Sequence, residues 1–151
     1  MLLTGTDGAE FEMEVAGYQF PHLEHEEYDS DWLNIKIRVR LAAGSWTSID
    51  PSLLMWELAS LAEWLGSIAE GNPVDLEESF LEPNLRFELT QSEPKKLRIH
   101  FDLESRPNWA RVEGAGPDDL WAEFDVNPDD LRKAAISLRD DLKRFPVRVG
   151  H

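Results

Sequence analysis

The 151-residue chain contains no cysteine. Disulfide bonds, thiolate catalysis and cysteine-ligated metal or iron–sulfur sites are therefore excluded. The chain also lacks any apolar run close to the roughly 20 residues of a bilayer-spanning helix. Its N-terminus has no basic stretch followed by an apolar region, which a secretory signal would require. These absences predict a soluble, cytoplasmic protein that does not associate with membranes.

Basic residues are scarce in this sequence. There are 15 Lys and Arg against 30 Asp and Glu, which gives a formal net charge of −15 at pH 7. A phosphate backbone is repelled by such a surface, because nucleic-acid binding requires a Lys/Arg patch that releases counterions. We therefore expect no direct contact with nucleic acid. The charge could serve solubility alone, and the more specific interpretation is a basic protein partner.

Known catalytic motifs are also missing. The sequence has no Gly-rich phosphate loop, no Gly-x-Ser-x-Gly turn and no His-Glu-x-x-His helix. Glu82, Asp102 and Glu104 lie on predicted strands or at their ends, and two of them could form a glycosidase-type carboxylate pair. With 30 acidic residues, chance proximity explains this equally well. We predict that the protein is not an enzyme and binds no cofactor.

Two histidines in an acidic stretch raise the possibility of a metal site. His22 and His25 are three residues apart and are followed by Glu26, and imidazoles with carboxylates suit zinc or similar ions. Pro21 precedes them, however, and no helical stripe follows that would bring the ligands together. We predict a solvated loop that holds no metal.

The most strongly patterned stretch of the chain covers residues 50–71. Its apolar residues follow the period of an α-helix; they are Leu54, Leu58, Leu61, Leu65 and Ile68. Trp56 and Trp64 widen this face. Asp50 is a good helix cap, Pro51 suits a first helical turn, and Gly71 suits the residue after the last turn. The pattern predicts a helix that begins at Asp50, ends at Gly71 and packs on a core.

A second helix is predicted near the C-terminus. Asn127 followed by Pro128 repeats the combination of cap and proline. The apolar residues that follow have the same spacing as in the first helix; they are Leu131, Ala135, Leu138, Leu142 and Phe145. Pro146 then ends the pattern.

The remaining patterned segments alternate apolar and polar residues, as strands with one wet face do. They are residues 9–20, 32–41, 45–49, 85–89, 97–103 and 120–126, with shorter candidates at 1–6 and 79–82. Three glutamates on the first of these segments could lie opposite three basic residues on the second, as antiparallel neighbours. The order of three strands, helix, about four strands and helix disfavours a doubly wound parallel sheet. We predict a single α+β domain over residues 1–151: a twisted, mainly antiparallel sheet of about six or seven strands, with two amphipathic helices on one face.

Two groups of acidic and aromatic residues are candidates for a binding surface. The first lies in a predicted exposed loop without Lys or Arg; it comprises Glu24, Glu26, Glu27, Tyr28, Asp29 and Asp31. The second comprises Asp118, Asp119, Trp121 and Glu123. Trp121 is opposite in phase to Ala122 and Phe124, so it should point outward. Exposed aromatics among acids are typical of a surface that binds a basic protein. The alternative is that Trp32 and Trp121 cover the sheet edge or pack under the loops.

Several segments of the sequence resemble the WapI-type immunity proteins of bacteria. They are residues 18–21 (Tyr-Gln-Phe-Pro), 28–33 (Tyr-Asp-Ser-Asp-Trp-Leu), 46–64, 82–88 and 103–109, within a likeness that extends over about residues 17–145. The resemblance implies a non-enzymatic, cytoplasmic inhibitor of a toxin domain, with a nuclease as the expected toxin. The charge agrees with this, because a nuclease attracts phosphate with a basic face that an acidic protein can block.

Two other functions remain open at the level of sequence. One is an acidic protein-interaction module without a toxin partner. The other is a small hydrolase that uses the strand carboxylates and a divalent metal.

Overall fold

Two four-stranded antiparallel sheets and two helices form the part of the chain that the computed structural model describes, residues 1–5, 7–22, 31–110, 116 and 119–146. The first sheet contains β1 (Leu2–Thr4), β2 (Glu10–Tyr18), β3 (Trp32–Leu41) and β4 (Gly44–Leu54) in that order. The second contains β5 (Glu77–Ser79), β6 (Leu85–Ser92), β7 (Lys95–Phe101) and β8 (Trp121–Asp125). The helices are α1 (Met55–Ala69) and α2 (Pro128–Arg144). Within these residues, neither helix is long and apolar enough to cross a membrane.

The α+β class, the two helices and the antiparallel pairing are confirmed, but the strands form two sheets rather than one. The apolar faces of the two sheets meet in a shared core. Phe11 of the first sheet contacts Phe87 of the second edge to face at 6.0 Å between ring centroids, and Trp46 contacts Phe101 at 5.2 Å. The helices pack against each other, and α2 also contacts β1 and β2. Strands that alternate apolar and polar residues fit one sheet covered by helices as well as two sheets packed face to face. The alternation shows which face of a strand is buried, but it does not show what covers that face.

The start of α1 differs from the sequence prediction. Residues 50–54 continue β4, since Asp50 pairs with Ile35, and Leu53 and Leu54 pair with Leu33 and Trp32. Pro51 is tolerated because the ladder shifts register at this point, so a missing N–H breaks no regular hydrogen bond. The prediction that Asp50 caps the helix was therefore wrong: pairing with β3 extends the strand to Leu54. The predicted end is close to the observed one, because Gly71 takes a left-handed φ of +74° just after the helix.

The buried faces of both helices agree with the spacing. The five predicted residues of the first stripe are all buried, as are Leu131, Ala135 and Leu138 of α2. Trp64 is buried as well, whereas Trp56 is exposed. Asn127 caps α2 as predicted, with its side-chain oxygen accepting from the N–H of Asp130 at 2.9 Å.

The predicted cross-strand charges are also confirmed. β2 and β3 are antiparallel, with Glu10, Glu12 and Glu14 directly opposite Arg40, Arg38 and Lys36. The nitrogen–oxygen distances in these pairs are 3.9, 3.7 and 4.0 Å. Exposed pairs of this kind contribute only a few tenths of a kcal/mol to about 1 kcal/mol each, so they specify the neighbour more than they stabilise it.

The segments near residues 79 and 103 differ from their predictions. β5 covers Glu77–Ser79 instead of residues 79–82, and β7 ends at Phe101. Beyond it the chain forms two short 3₁₀ turns, Leu103–Ser105 and Asn108–Ala110. The first turn is capped by Asp102, whose carboxylate accepts from the N–H of Leu103 at 2.9 Å. This local hydrogen bond competes with continuation of the strand.

Glu57 is a buried carboxylate at the start of α1. One of its oxygens accepts from the N–H of Leu54 at 3.0 Å, and the other accepts from the N–H of Leu81 at 2.8 Å. Burial raises the pKa of Glu57 above its ordinary value of 4.5. The two hydrogen bonds oppose this rise, and the nearby charges of Glu78 and Glu82 add to it. The side chain thus joins the helix to the segment that follows β5.

We expect Glu57→Gln to change how stability depends on pH. A raised folded-state pKa means that the folded protein binds this proton more tightly than the unfolded chain does. The resulting stabilisation is complete below the unfolded value and is lost as pH rises through the folded pKa. Gln does not titrate, so the unfolding free energy of the wild type minus that of the variant should decrease as pH rises from 4.5. Urea titrations at several pH values measure this difference, with the exposed Glu63→Gln as the control. A difference that does not vary with pH would contradict the effect of burial on Glu57.

Candidate partner-binding surface

The outer face of the second sheet carries most of the second predicted group. Strand register places Arg86, His100 and Trp121 in one row across β6, β7 and β8. The next row contains Glu88, Arg98 and Glu123. Ala122 and Phe124 point into the core, so the predicted outward phase of Trp121 is confirmed. The face therefore presents alternating charges with one aromatic ring at its β8 edge.

The charged side chains of this face are paired with one another. Arg98 contacts Glu123 at 3.0 Å, and Lys96 contacts Asp125 at 3.8 Å. Arg86 pairs with a glutamate of β5, and the Nε2 atom of His100 lies 3.4 Å from an oxygen of Glu88. His100 therefore belongs to this outer face by strand register, although its side chain is buried there. Local pairing leaves this face without a large excess of either sign.

Trp121 is the exposed aromatic of this surface, with 45% of its area accessible. The guanidinium carbon of Arg98 lies 3.9 Å from the centroid of its ring, within the range of a cation–π contact. Arg98 is itself held by Glu123, whose Oε2 atom accepts from its Nη2 and Nε atoms at 3.0 and 3.3 Å. The ring is therefore supported on one side by a fixed cation while much of its area faces solvent. A side chain held in this way loses little conformational freedom when it binds a partner.

The Trp121 ring is thus in contact with a cation, Arg98, which the predicted group of acids did not include. Arg98 was missed in the sequence because this residue lies on β7 and Trp121 lies on β8. The sequence alone does not show which residues of the two strands are neighbours. Only the register between β7 and β8 places the two side chains on a diagonal. Outward alternation along β7 is the one signal that could have included Arg98.

Asp119 lies beside this surface in the turn that leads into β8. It is exposed, and its Oδ2 atom accepts from the N–H of Gly116 at 2.5 Å. The N–H of Asp119 donates to the carbonyl of Gly116 at 3.2 Å. Asp118 lies outside the described residues. The structure therefore brings together Asp119, Trp121 and Glu123 at one end of the second sheet.

The first predicted group falls largely in a part of the chain that the structure does not describe. Those residues are Glu24, Glu26, Glu27, Tyr28 and Asp29. Asp31 is described and is completely buried just before β3, so it belongs to no exposed surface, contrary to the sequence expectation. The segment connects β2 with β3 on the first sheet, whereas Trp121 lies on the second sheet. Trp32, which follows Asp31, is partly buried opposite Leu54.

Two of the three candidate catalytic carboxylates have structural partners, and the third, Glu82, is exposed. Asp102 caps the first 3₁₀ turn and lies 3.5 Å from the guanidinium of Arg106. Glu104 lies 3.4 Å from the side-chain amide of Asn84. Among the described residues, no group of three or more His, Asp or Glu side chains is arranged to hold a metal ion. In the loop predicted to hold no metal, His22 is described and exposed, whereas His25 and Glu26 lie outside the described residues.

The chain is thus a small α+β protein with an exposed tryptophan that contacts an arginine on the outer face of its second sheet. The immunity protein WapI-like family matches residues 1–146 of the chain. The protein therefore belongs to that family, which confirms the resemblance seen in the sequence. Its family defines it as a toxin immunity protein. No curated protein sequence matches the chain.

Proposed function

We propose that the protein binds a cognate bacterial toxin domain in the cytoplasm and blocks it without enzymatic turnover. The proposed toxin is a nuclease with a basic face, and the proposed inhibitor is one domain spanning residues 1–151. The contact surface combines the two predicted groups. They are the acidic segment with Glu24, Glu26, Glu27, Tyr28 and Asp29, and the end of the second sheet with Asp118, Asp119, Trp121 and Glu123. The observation that carries the proposal is the exposed Trp121 ring supported on Arg98 in a member of an immunity family.

Charge supports the choice of a basic toxin. The chain has a net charge of −15, and a nuclease must attract the phosphates of its substrate with a basic face. Opposite charges on the two proteins accelerate their encounter and oppose binding to unrelated acidic proteins. An acidic protein on the basic face would also compete with the substrate for the same electrostatic field. The acids therefore supply fast association, and Trp121 supplies a long-lived contact.

A titration of the cognate toxin domain, sought in the gene next to that of this protein, tests the general proposal. Nuclease activity should fall in proportion to the protein added and reach zero at equivalence, because a stoichiometric inhibitor acts once per toxin molecule. Loss of toxin activity at far less than one equivalent would indicate catalysis by the protein and contradict inhibition by binding. Failure to neutralise the toxin at any ratio would favour the acidic interaction module.

Trp121→Ala should weaken the complex by increasing its dissociation rate. Truncating an aromatic anchor at an interface costs on the order of 2 kcal/mol, which corresponds to about a thirtyfold weaker complex. Trp56→Ala is the matched control, because Trp56 is also exposed but lies on α1. Surface plasmon resonance gives both rate constants, and thermal melting confirms folding. If the two variants dissociate from the toxin at equal rates, Trp121 is not an anchor of the interface.

Reversing Glu24, Glu26 and Glu27 to Lys should mainly slow association. Electrostatic steering depends on long-range attraction, which salt screens beyond about 8 Å at physiological ionic strength. The effect on the association rate should therefore be largest at low salt. The control reverses Glu63, Glu93 and Asp140, which are exposed residues elsewhere, and it changes the net charge by the same amount. If both triple variants associate equally slowly, total charge and not this segment controls the encounter.

A further inference from the structure

The segment that follows β7 holds a leucine in an unfavourable backbone conformation. Leu103 has a φ of +52°, and among the described residues it is the only one other than glycine with a positive φ. For an L-residue this left-handed region brings Cβ close to the backbone, and it costs roughly 1–2 kcal/mol. Glycine, or even asparagine, adopts it more readily. A leucine at this position therefore requires a reason.

Packing within the chain does not supply that reason, because 47% of Leu103 is exposed. Six residues further on, Trp109 is 54% exposed. Its ring lies edge to face against Trp46, 6.0 Å between centroids, and a Cβ added to Gly44 would lie 3.4 Å from it. Two large apolar side chains thus project from one short segment, residues 102–110, which we call the apolar loop.

The backbone of the apolar loop is held from several directions. The carbonyl of Ser105 accepts from the indole N–H of Trp46 at 2.8 Å, and the carbonyl of Glu104 accepts from the hydroxyl of Ser48 at 2.7 Å. The N–H of Asp102 donates to the carbonyl of Asn84 at 2.9 Å. The loop is therefore fixed to β4 and to the segment before β6. Strain persists where the surroundings determine the conformation this strongly, and such sites are often functional.

Arg106 connects this loop to the surface that contains Trp121. Its side chain is buried; its Nε atom donates to the carbonyl of Phe101 at 2.8 Å, and its Nη2 atom donates to the carbonyl of Gly116. Gly116 in turn donates to Asp119, two residues before Trp121. The apolar loop and the Trp121 surface are thus joined at the end of the second sheet where β7 finishes and β8 begins.

The charges on either side of Leu103 are negative, whereas Arg106, the one cation among residues 102–110, is buried beside Asp102. Leu103 stands between Asp102 and Glu104, and the side-chain amide of Asn84 joins Glu104 to Asp50, to which it donates at 2.8 Å. An apolar tip flanked by carboxylates is complementary to an apolar pocket whose rim is basic. A protein that presents a basic face would carry such a rim.

We infer that the apolar loop is a second anchor for the toxin, with Leu103 and Trp109 inserted into an apolar pocket on the basic face of the toxin domain. The inference rests on the proposed function, since it assigns a further contact to the same partner. Holding Leu103 in the left-handed region before binding lowers the conformational entropy lost in the complex. The protein thus retains a strained leucine because its side chain contacts the toxin.

Leu103→Gly tests this inference, because it removes the side chain while suiting the backbone. The midpoint of thermal unfolding should be no lower than that of the wild type, since relief of strain offsets the loss of a half-exposed side chain. The dissociation rate of the toxin complex should rise at least about tenfold, as for loss of an interface anchor. Leu103→Asn should behave in the same way, because asparagine also tolerates this conformation. Leu2→Asn, at a leucine that is 51% exposed on β1, should leave the rate unchanged.

The possible outcomes separate this inference from the proposed function. If the wild-type protein does not bind the toxin, the proposed function fails and the inference fails with it. If the wild type binds and Leu103→Gly dissociates at the same rate, only the inference is overturned. A fall in the melting temperature of Leu103→Gly would show that the leucine serves the fold. The wild type could also prove to be a dimer that Leu103→Gly converts to monomers without loss of toxin binding. That result would show that the apolar loop contacts a second copy of this chain, and it would also overturn the inference.

Discussion

Leu61→Asp should prevent the protein from folding. Leu61 lies at the centre of α1 and is completely buried among the apolar residues of the core. The variant loses the burial of a leucine, which is worth roughly 1.5–3 kcal/mol. It also places an unpaired carboxylate where no water or cation can reach it. The sum approaches the whole stability of a typical domain, about 5–15 kcal/mol.

Circular dichroism and urea unfolding of the purified variant measure this effect. Ala59→Asp is the matched control, because residue 59 is exposed on the same helix only two positions away. That variant should lose less than about 1 kcal/mol, the difference in helix propensity between the two residues. A Leu61→Asp protein that melts within a few degrees of the wild type would show that α1 does not pack on the core through this face.

Arg106→Met should cost about 3 kcal/mol of unfolding free energy. Arg106 is buried, it donates to the carbonyls of Phe101 and Gly116, and its guanidinium lies 3.5 Å from Asp102. Methionine retains much of the volume but leaves the two carbonyls without these donors and Asp102 without this cation. Removing one partner of a buried ion pair typically costs about 3–5 kcal/mol. The lower end applies here, because Asp102 retains some contact with water.

Arg38→Met supplies the comparison for this loss. Arg38 is exposed and faces Glu12 at 3.7 Å on the outer surface of the first sheet. Breaking that pair should cost no more than about 1 kcal/mol, since water replaces the lost contact. Urea unfolding of both variants at neutral pH gives the two values. Equal losses would mean that burial of Arg106 has no energetic consequence. A larger loss for Arg106→Met, accompanied by faster release of the toxin, would also agree with its position between the apolar loop and Trp121.

The two candidate surfaces contain one feature that the sequence could predict and two that it could not. The outward direction of Trp121 follows from its phase in β8, because alternate residues of a strand face opposite sides. Arg98 beneath its ring could not be predicted, since that contact depends on which residue of β7 pairs with which residue of β8. Asp31 looked like one more carboxylate of an acidic loop. Its complete burial is a property of the surroundings of β3 and has no signature in the local sequence.

Leu103 is a similar case. In the sequence it continues an alternating strand, with Leu97, Ile99 and Phe101 before it. In the structure, Asp102 caps a short turn and Leu103 takes a positive φ instead. The local cap competes with continuation of the strand, and hydrogen bonds from Trp46 and Ser48 to this turn favour the turn. These two donors are more than 50 residues away along the chain, so no local pattern contains them.

The sequence by itself determined the buried faces, the cap of α2, the end of α1, the antiparallel pairing of β2 with β3 and membership of an immunity family. The structural features in this set depend on periodicity, on local hydrogen-bonding groups or on matched charges, whereas the family was indicated by the resemblance of several segments to its members. Only the tertiary structure decided that the strands form two sheets and that residues 50–54 belong to β4. The reason is the same in both cases: periodicity shows which side of an element is buried, whereas the element's neighbour is chosen by hydrogen bonds and packing between distant segments. At Asp50 and Pro51, a favourable local helix start was outweighed by pairing with β3.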